Sequence, residues 1–130
     1  MLNYEHILGH ERSIGQLERA RRNARVAHAY LFHGPDGIGK QRVALAFAAA
    51  LNCNADPAPC GQCESCSKIE RFGHPDVRLV ASEDHLVKAG LLEWERGNPP
   101  VQIKNEQLDE LADLFRHRPY LGRTKVFVVV

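Results

Sequence analysis

The sequence predicts an α/β fold in which a parallel sheet is covered by helices on both faces. Three short apolar segments alternate with segments of helical periodicity, the order found where a chain returns through a helix to a parallel strand. A glycine-rich turn follows the first apolar segment and directly precedes a helix. The 130 residues, 44% apolar and 25% charged, fit one domain of ordinary size.

The first half of the chain predicts two helices around one strand. Ser13 and Gln16 form a capping box, and the apolar residues after them keep helical spacing, which predicts a helix over 13–25. The apolar segment 29–33 predicts a buried parallel strand that ends at the glycine-rich turn. From Lys40 onward, apolar residues at a period of about 3.6 predict the second helix.

The second half alternates in the same way. A short helix is predicted over 64–71, and a second strand, entered through a turn, over 75–80. Residues 81–102 contain a Gly-Asn-Pro-Pro sequence and predict an irregular excursion. Asn105 is expected to cap a helix with a leucine stripe, and the apolar segment 125–130 predicts the third strand.

Charge and composition exclude several functional classes. Seventeen Lys and Arg residues against sixteen Asp and Glu give a formal net charge of +1, so no global field directs the chain to nucleic acid or to a membrane. The first residues lack the basic and apolar regions of a signal peptide, and no apolar run approaches the ~18 residues of a membrane span. We therefore expect a soluble, cytoplasmic protein with no membrane partner.

The glycine-rich turn at 34–41, GPDGIGKQ, matches the phosphate-binding loop GxxxxGK[ST] up to its last position. Such a loop points backbone N–H groups and a helix N-terminus at an anion, while the lysine reaches the outer phosphates. The sequence therefore predicts a P-loop, and the residues expected to contact a nucleotide are Gly34, Gly37, Ile38, Gly39, Lys40 and Gln41.

Gln41 indicates that the loop can have the conformation of a P-loop without its usual magnesium ligand. Ser or Thr normally follows the lysine and binds magnesium, whereas a glutamine carbonyl is a longer and less constrained ligand. The acid that holds the metal comes at or beyond the end of a later strand, and the sequence stops before one. We assign no catalytic residue and expect no ATP hydrolysis; weak ATP binding and a loop kept only for its fold both stay open.

Four cysteines form a Cys-x6-Cys-x2-Cys-x2-Cys pattern, and the rest of the chain has none. Four thiolates complete a tetrahedral zinc shell, and x2 spacings bring pairs of sulfurs to one ion, so the pattern predicts structural zinc. A disulfide pair and free buried thiols are the alternatives. His74 could substitute as a ligand, although His74-Pro75-Asp76 also fits a turn into the second strand. The expected ligands are Cys53, Cys60, Cys63 and Cys66.

Together these motifs resemble the bacterial DNA polymerase III clamp-loader subunits, in the same order and over nearly the whole chain. The resemblance implies the N-terminal part of an AAA+ P-loop domain over 1–130, truncated before the Walker B acid, with a zinc module inserted at 52–72. The matching segments are ILGHE at 7–11, HAYLF at 28–32, the loop at 34–40, LNC at 51–53, the cysteine spacing, HPD at 74–76 and the strand at 125–130.

Within that family, a loop ending in Lys-Gln is similar to the delta-prime branch, whose nucleotide site is often degenerate. The resemblance implies a largely non-hydrolysing scaffold in a DNA-directed DNA polymerase holoenzyme, which helps to load the sliding clamp onto primed DNA. Its implied partners are the delta and gamma/tau subunits. The alternatives are a gamma/tau-type subunit that binds and hydrolyses ATP, and a stand-alone zinc-dependent nucleic-acid-binding module.

Overall fold

The computed structural model describes all 130 residues and has the α/β character that the alternation predicts. Five α-helices and two β-strands follow a short 3-10 helix at Tyr4–His6. No helix combines the length and the hydrophobicity that a membrane crossing requires. The elements are α1 at Glu11–Arg22, α2 at Lys40–Asn52, α3 at Glu64–Glu70, β1 at Val77–Val80, α4 at Glu83–Lys88, α5 at Asn105–Phe115 and β2 at Val126–Val129.

The two strands form a parallel sheet. Val77 pairs with Val126 and Val80 with Val129, so the register is continuous over four residues. Parallel neighbours need a crossover connection, and here the connection carries α4 and α5. Phe115 at the end of α5 packs on Phe127 of β2 with ring centroids 4.3 Å apart, which attaches the connecting helix to the sheet.

The predicted strand over 29–33 is wrong for this structure, because the segment is irregular and pairs with neither β1 nor β2. A strand is defined by hydrogen bonds to a neighbour, and the apolar composition of a segment cannot supply that neighbour. Leu31 is 88% exposed, while Phe32 packs on the small core between α1 and α2. Tyr30 meets Phe47 edge-on with ring centroids 5.5 Å apart. The segment therefore lies against α2 outside any sheet.

The N-terminal caps of two helices also differ from expectation. α1 begins at Glu11 behind His10, which has a left-handed backbone, so Ser13 lies inside the helix and caps nothing. The N-cap of α5 is Lys104, whose backbone N–H donates to the side chain of Gln107 at 2.8 Å. The periodic pattern predicts both helices correctly, but the Ser-x-x-Gln spacing and the Asn residue do not identify the N-cap.

The segment 81–102 is not irregular throughout, because it contains helix α4. Ser82 caps α4 by accepting a hydrogen bond from the backbone N–H of His85, as an N-cap serine does. Lys104 then pairs with Glu83 at 2.7 Å and so ties the start of α5 to α4. The proline-rich sequence correctly predicts only the irregular part that follows α4.

Helix α2 runs through the main core of the molecule. Its small side chains let α3 and the sheet approach closely, and Ala46, Ala48 and Ala49 are completely buried. Cys53 and Cys66 belong to the same cluster of buried residues, together with Ile69, Val77 and Val128. The core thus joins the segment after the glycine-rich turn to the cysteine-rich segment.

Candidate functional site

The glycine-rich turn curls at the start of α2. Gly34, Gly37 and Gly39 have φ values of 151°, 77° and 98°, a region in which side-chain-bearing residues are strained. Gly39 is the N-cap of α2, and Lys40 is its first residue. The loop therefore leads directly into the N-terminus of α2, where the helix dipole favours an anion.

The ammonium group of Lys40 crosses this loop. Its Nζ donates to the carbonyl oxygens of Gly34 at 2.6 Å and Pro35 at 3.0 Å, and it lies 3.9 Å from a carboxylate oxygen of Asp36. The positive charge of Lys40 therefore lies against the main chain at the start of the loop. A phosphate approaching the N-terminus of α2 would meet this ammonium group.

Two further loop residues have distinct places. Gln41 is partly buried in the first turn of α2, directly after the lysine. Ile38 is 44% exposed, and its carbonyl oxygen lies 2.7 Å from Nε2 of His10. Because a carbonyl can only accept, this nitrogen carries the proton. His10 thus ties the segment before α1 to the phosphate loop, a contact that no spacing in the sequence indicates.

A cavity of about 430 Å³ opens beside the loop. Its wall combines aromatic and apolar side chains with the lysine and with histidines, the mixture that suits a ligand with a flat ring and an anionic end. The segment 29–33, although it forms no strand, contributes much of this wall. The lining includes His10, Tyr30, Phe32, Ile38, Lys40 and Val43.

The four cysteines meet at one point between α2 and α3. Their Sγ atoms all lie within 4.8 Å of one another, and those of Cys53 and Cys63 are 3.9 Å apart. Thiolates at 2.3 Å around a tetrahedral ion are separated by ~3.8 Å, so the observed spacing fits a shared zinc ion. All four are free thiols, so the disulfide alternative does not describe this structure.

Backbone N–H groups surround the sulfurs, as they do in thiolate sites. Ala55 donates to Sγ of Cys53, Cys63 to that of Cys60, and Cys66 to that of Cys63, at 3.3 to 3.5 Å. The N–H groups of Gln62 and Cys63 lower the pKa of Cys60 to about 6. Burial raises the pKa of Cys66, the most enclosed sulfur. Burying these thiols as anions therefore calls for a cation among them.

Three buried polar side chains lie beside the cysteines, and the sequence does not predict that they are grouped there. Asn52 ends α2, and His74 and Asp76 precede β1; all three are at most 4% exposed. His74 is not among the residues that could share a metal ion. Its Nδ1 instead accepts from the backbone N–H of Asp76 at 3.1 Å, which fits a turn into the strand. The only sequence signal was polar residues at the ends of apolar elements.

Comparison with known proteins assigns the family. Residues 9–130 match the family described as DNA polymerase III, delta subunit. The chain belongs to the DNA polymerase III delta subunit family. The match includes the glycine-rich loop, the four cysteines and both strands, so both candidate sites lie within the matched residues.

The relatives of this chain carry several names. It is 33% identical over 125 residues to the tau/gamma subunit of DNA polymerase III from Haemophilus influenzae, covering 95% of this chain and 16% of that protein. It is 39% identical over 106 residues to the delta' subunit from Bacillus subtilis, covering 81% and 27%. Protein STICHEL-like 1 from Arabidopsis thaliana is 40% identical over 130 residues, covering 97% and 10%.

The chain therefore spans between a tenth and roughly a quarter of the length of these relatives. Their names are divided between tau/gamma and delta' subunits, and one is a plant protein without a polymerase name. Membership in the delta subunit family is thus clear, while the type of subunit is a separate question.

Proposed function

We propose that this chain is part of a clamp-loader subunit of the delta-prime type, a largely non-hydrolysing scaffold that helps to load a sliding clamp onto primed DNA. Its partners would be the delta and gamma/tau subunits, with the clamp and DNA reached through the complex. The observation that carries the proposal is Gln41, which follows Lys40 in a curled glycine loop where magnesium chemistry needs a hydroxyl.

The loop would bind phosphate without holding magnesium well. Gly34, Gly37, Ile38, Gly39 and Lys40 would surround the anion, and the adjoining cavity would take the remainder of a nucleotide. Magnesium demands near-ideal octahedral geometry at 2.0–2.1 Å, which the longer side chain of Gln41 meets poorly. Any bound ATP would then be held by electrostatics and shape, and its hydrolysis would not be promoted.

We further propose that Cys53, Cys60, Cys63 and Cys66 bind one structural zinc ion. The clustering of the four sulfurs and the N–H groups directed at them support this assignment. Four protein ligands leave no open position for water, so the ion would stabilise the fold between α2 and α3 and would take no part in catalysis.

A second candidate is a tau/gamma-type subunit with ATP binding and hydrolysis. The similarity to the Haemophilus influenzae tau/gamma subunit over 95% of this chain favours it. The two candidates differ in what magnesium does. A scaffold subunit would bind nucleotide weakly, with an affinity that does not depend on magnesium. An ATPase subunit would bind magnesium and ATP together.

Calorimetry on the full-length gene product, with ATP in magnesium and in EDTA, tests this difference. We expect weak binding that magnesium does not improve, and we expect Gln41→Thr to gain at least ~10-fold in affinity with magnesium only, because it restores the missing ligand.

Gln102→Thr makes the same substitution at an exposed site that does not line the cavity beside the loop, and it should leave the affinity unaltered. Tight, magnesium-dependent binding by the unsubstituted protein would contradict the scaffold and support the ATPase subunit. A Gln41→Thr variant that gains nothing would show that Gln41 is not what limits the site.

A further inference from the structure

The segment Tyr120–Thr124, which we call the latch, leads into β2, and all five of its backbone N–H groups donate to side chains from elsewhere in the chain. The backbone N–H groups of its first three residues, Tyr120, Leu121 and Gly122, donate to the carboxylate of Asp76 at 2.6, 2.7 and 2.6 Å. Those of Arg123 and Thr124 donate to Oδ1 of Asn52 at 2.9 and 3.0 Å. Five consecutive N–H groups thus depend on two buried side chains.

The Asn52 end of the latch is attached to the cysteine cluster. Asn52 is the last residue of α2, and the next residue is the candidate zinc ligand Cys53. The guanidinium group of Arg123 donates to the carbonyl oxygen of Cys53 at 2.6 Å. Nδ2 of Asn52 donates in turn to the carbonyl oxygen of Thr124 at 3.0 Å. Asn52 and Cys53 are therefore both hydrogen-bonded to the latch.

The latch has no room to slide past Asn52. A Cβ atom placed on Gly122 would lie 2.1 Å from Oδ1 of Asn52 and 3.1 Å from Cε1 of His74. On its other side, the latch is continuous with β2, whose first N–H group, that of Val126, donates to the main-chain oxygen of Asp76 at 2.8 Å. If Asn52 moved, the latch would therefore have to move with it.

We propose that the latch transmits the state of the cysteine cluster to strand β2, with Asn52 and Arg123 as the positioning residues. This inference rests on the proposed metal site. With zinc bound, the end of α2 is fixed and all five N–H groups of the latch are held. Without zinc, the Asn52 end is released first, while the Asp76 end stays held. Because the latch leads into β2 and Asp76 directly precedes β1, the cluster would thereby act on the amino ends of the two parallel strands.

Hydrogen exchange at residue resolution on the full-length gene product tests the proposal, after mass spectrometry has shown one bound zinc. On removal of zinc with a chelator, we expect the N–H groups of Arg123 and Thr124 to exchange at least ~10-fold faster, because their acceptor loses its anchor. Those of Tyr120, Leu121 and Gly122 should change by less than ~3-fold, since Asp76 holds them independently of the cluster.

Arg123→Met removes the hydrogen bond to Cys53 at a surface position, so the variant should fold and bind zinc. The increase in exchange rate at residues 123 and 124 on chelation should be at least ~3-fold smaller in this variant. Arg118→Met, at an exposed arginine nearby, should respond like the unsubstituted protein.

Unchanged exchange at Arg123 and Thr124 in a protein that had bound zinc would overturn the latch and leave the metal site standing. An Arg123→Met response equal to that of Arg118→Met would also overturn it. Absence of zinc from the starting protein would defeat the metal site, and the latch with it.

Discussion

Asp76 illustrates at the scale of the residue how one buried carboxylate fixes a loop. Burial by itself would raise its pKa, but the N–H groups of Tyr120, Gly122 and Leu121 donate to it and bring the pKa below its ordinary value. The charged form is therefore the one that the folded chain stabilises. A group whose pKa is depressed by folding contributes stability above its unfolded pKa and loses it as the pH falls through the folded pKa.

Asp76→Asn is expected to lower the free energy of unfolding at pH 7 by about 2 to 3 kcal/mol, because the charge that accepts three hydrogen bonds is lost and an amide NH2 group then faces the N–H groups. The unsubstituted protein should lose this contribution as the pH falls below about 4, and the variant should lack that part of its acid destabilisation.

Urea unfolding over a series of pH values measures both effects. Asp109→Asn, on an exposed part of α5, is the matched control and should change the free energy of unfolding by less than ~0.5 kcal/mol. Equal effects of the two substitutions would contradict the role given to Asp76.

At the scale of the element, α2 connects the two candidate sites. It begins at Lys40 in the phosphate loop and ends at Asn52, one residue before the first cysteine. Eight of its thirteen residues are buried, so it is a central helix rather than an amphipathic surface helix. Its alanines allow the close packing on which the position of both sites depends.

Ala46→Leu is expected to destabilise the chain by about 1 to 3 kcal/mol, because Ala46 is completely buried and three extra carbons would force α2 away from its neighbours. Thermal or urea unfolding measures the change. Ala112→Leu, on an exposed part of α5, makes the same substitution and should cost less than ~0.5 kcal/mol. A cost as small as that of the control would show that α2 is loosely packed.

At the scale of the whole molecule, the cysteine cluster is part of the core. Cys53 and Cys66 pack with α2, α3 and both strands, so a metal at this point would stabilise more than the short segment that binds it. The sheet has only two strands, so packing around the cysteine cluster forms a large share of the core. The fold as a whole should therefore depend on the ion.

Native mass spectrometry should find one zinc ion per chain, and a chelator should lower the thermal unfolding midpoint by more than ~10 °C, because structural zinc contributes on the order of 10 kcal/mol to folding. Cys63→Ser should lose zinc and respond little to the chelator. Ser65→Ala, two residues away, should retain the ion. A chain without metal, or a midpoint that the chelator leaves in place, would contradict this expectation.

Local signals in the sequence determined four of the five helices, the curled loop after 33, and the grouping of four cysteines by short spacings. These features depend on contacts between residues close in sequence, and glycine conformation, helical periodicity and x2 spacings report such contacts directly. The same signals placed β1 and β2 within two residues of their observed starts.

Only the tertiary structure decided the features that depend on partners far away in the chain. The segment 29–33 has the composition of a strand but no neighbour to pair with, and it lines a cavity instead. His10 meets Ile38 across 28 residues, and Asn52 meets Arg123 across 71. A side chain's hydrogen-bonding capacity can be known from its type, but its partner is set by which distant backbone groups the fold brings to it.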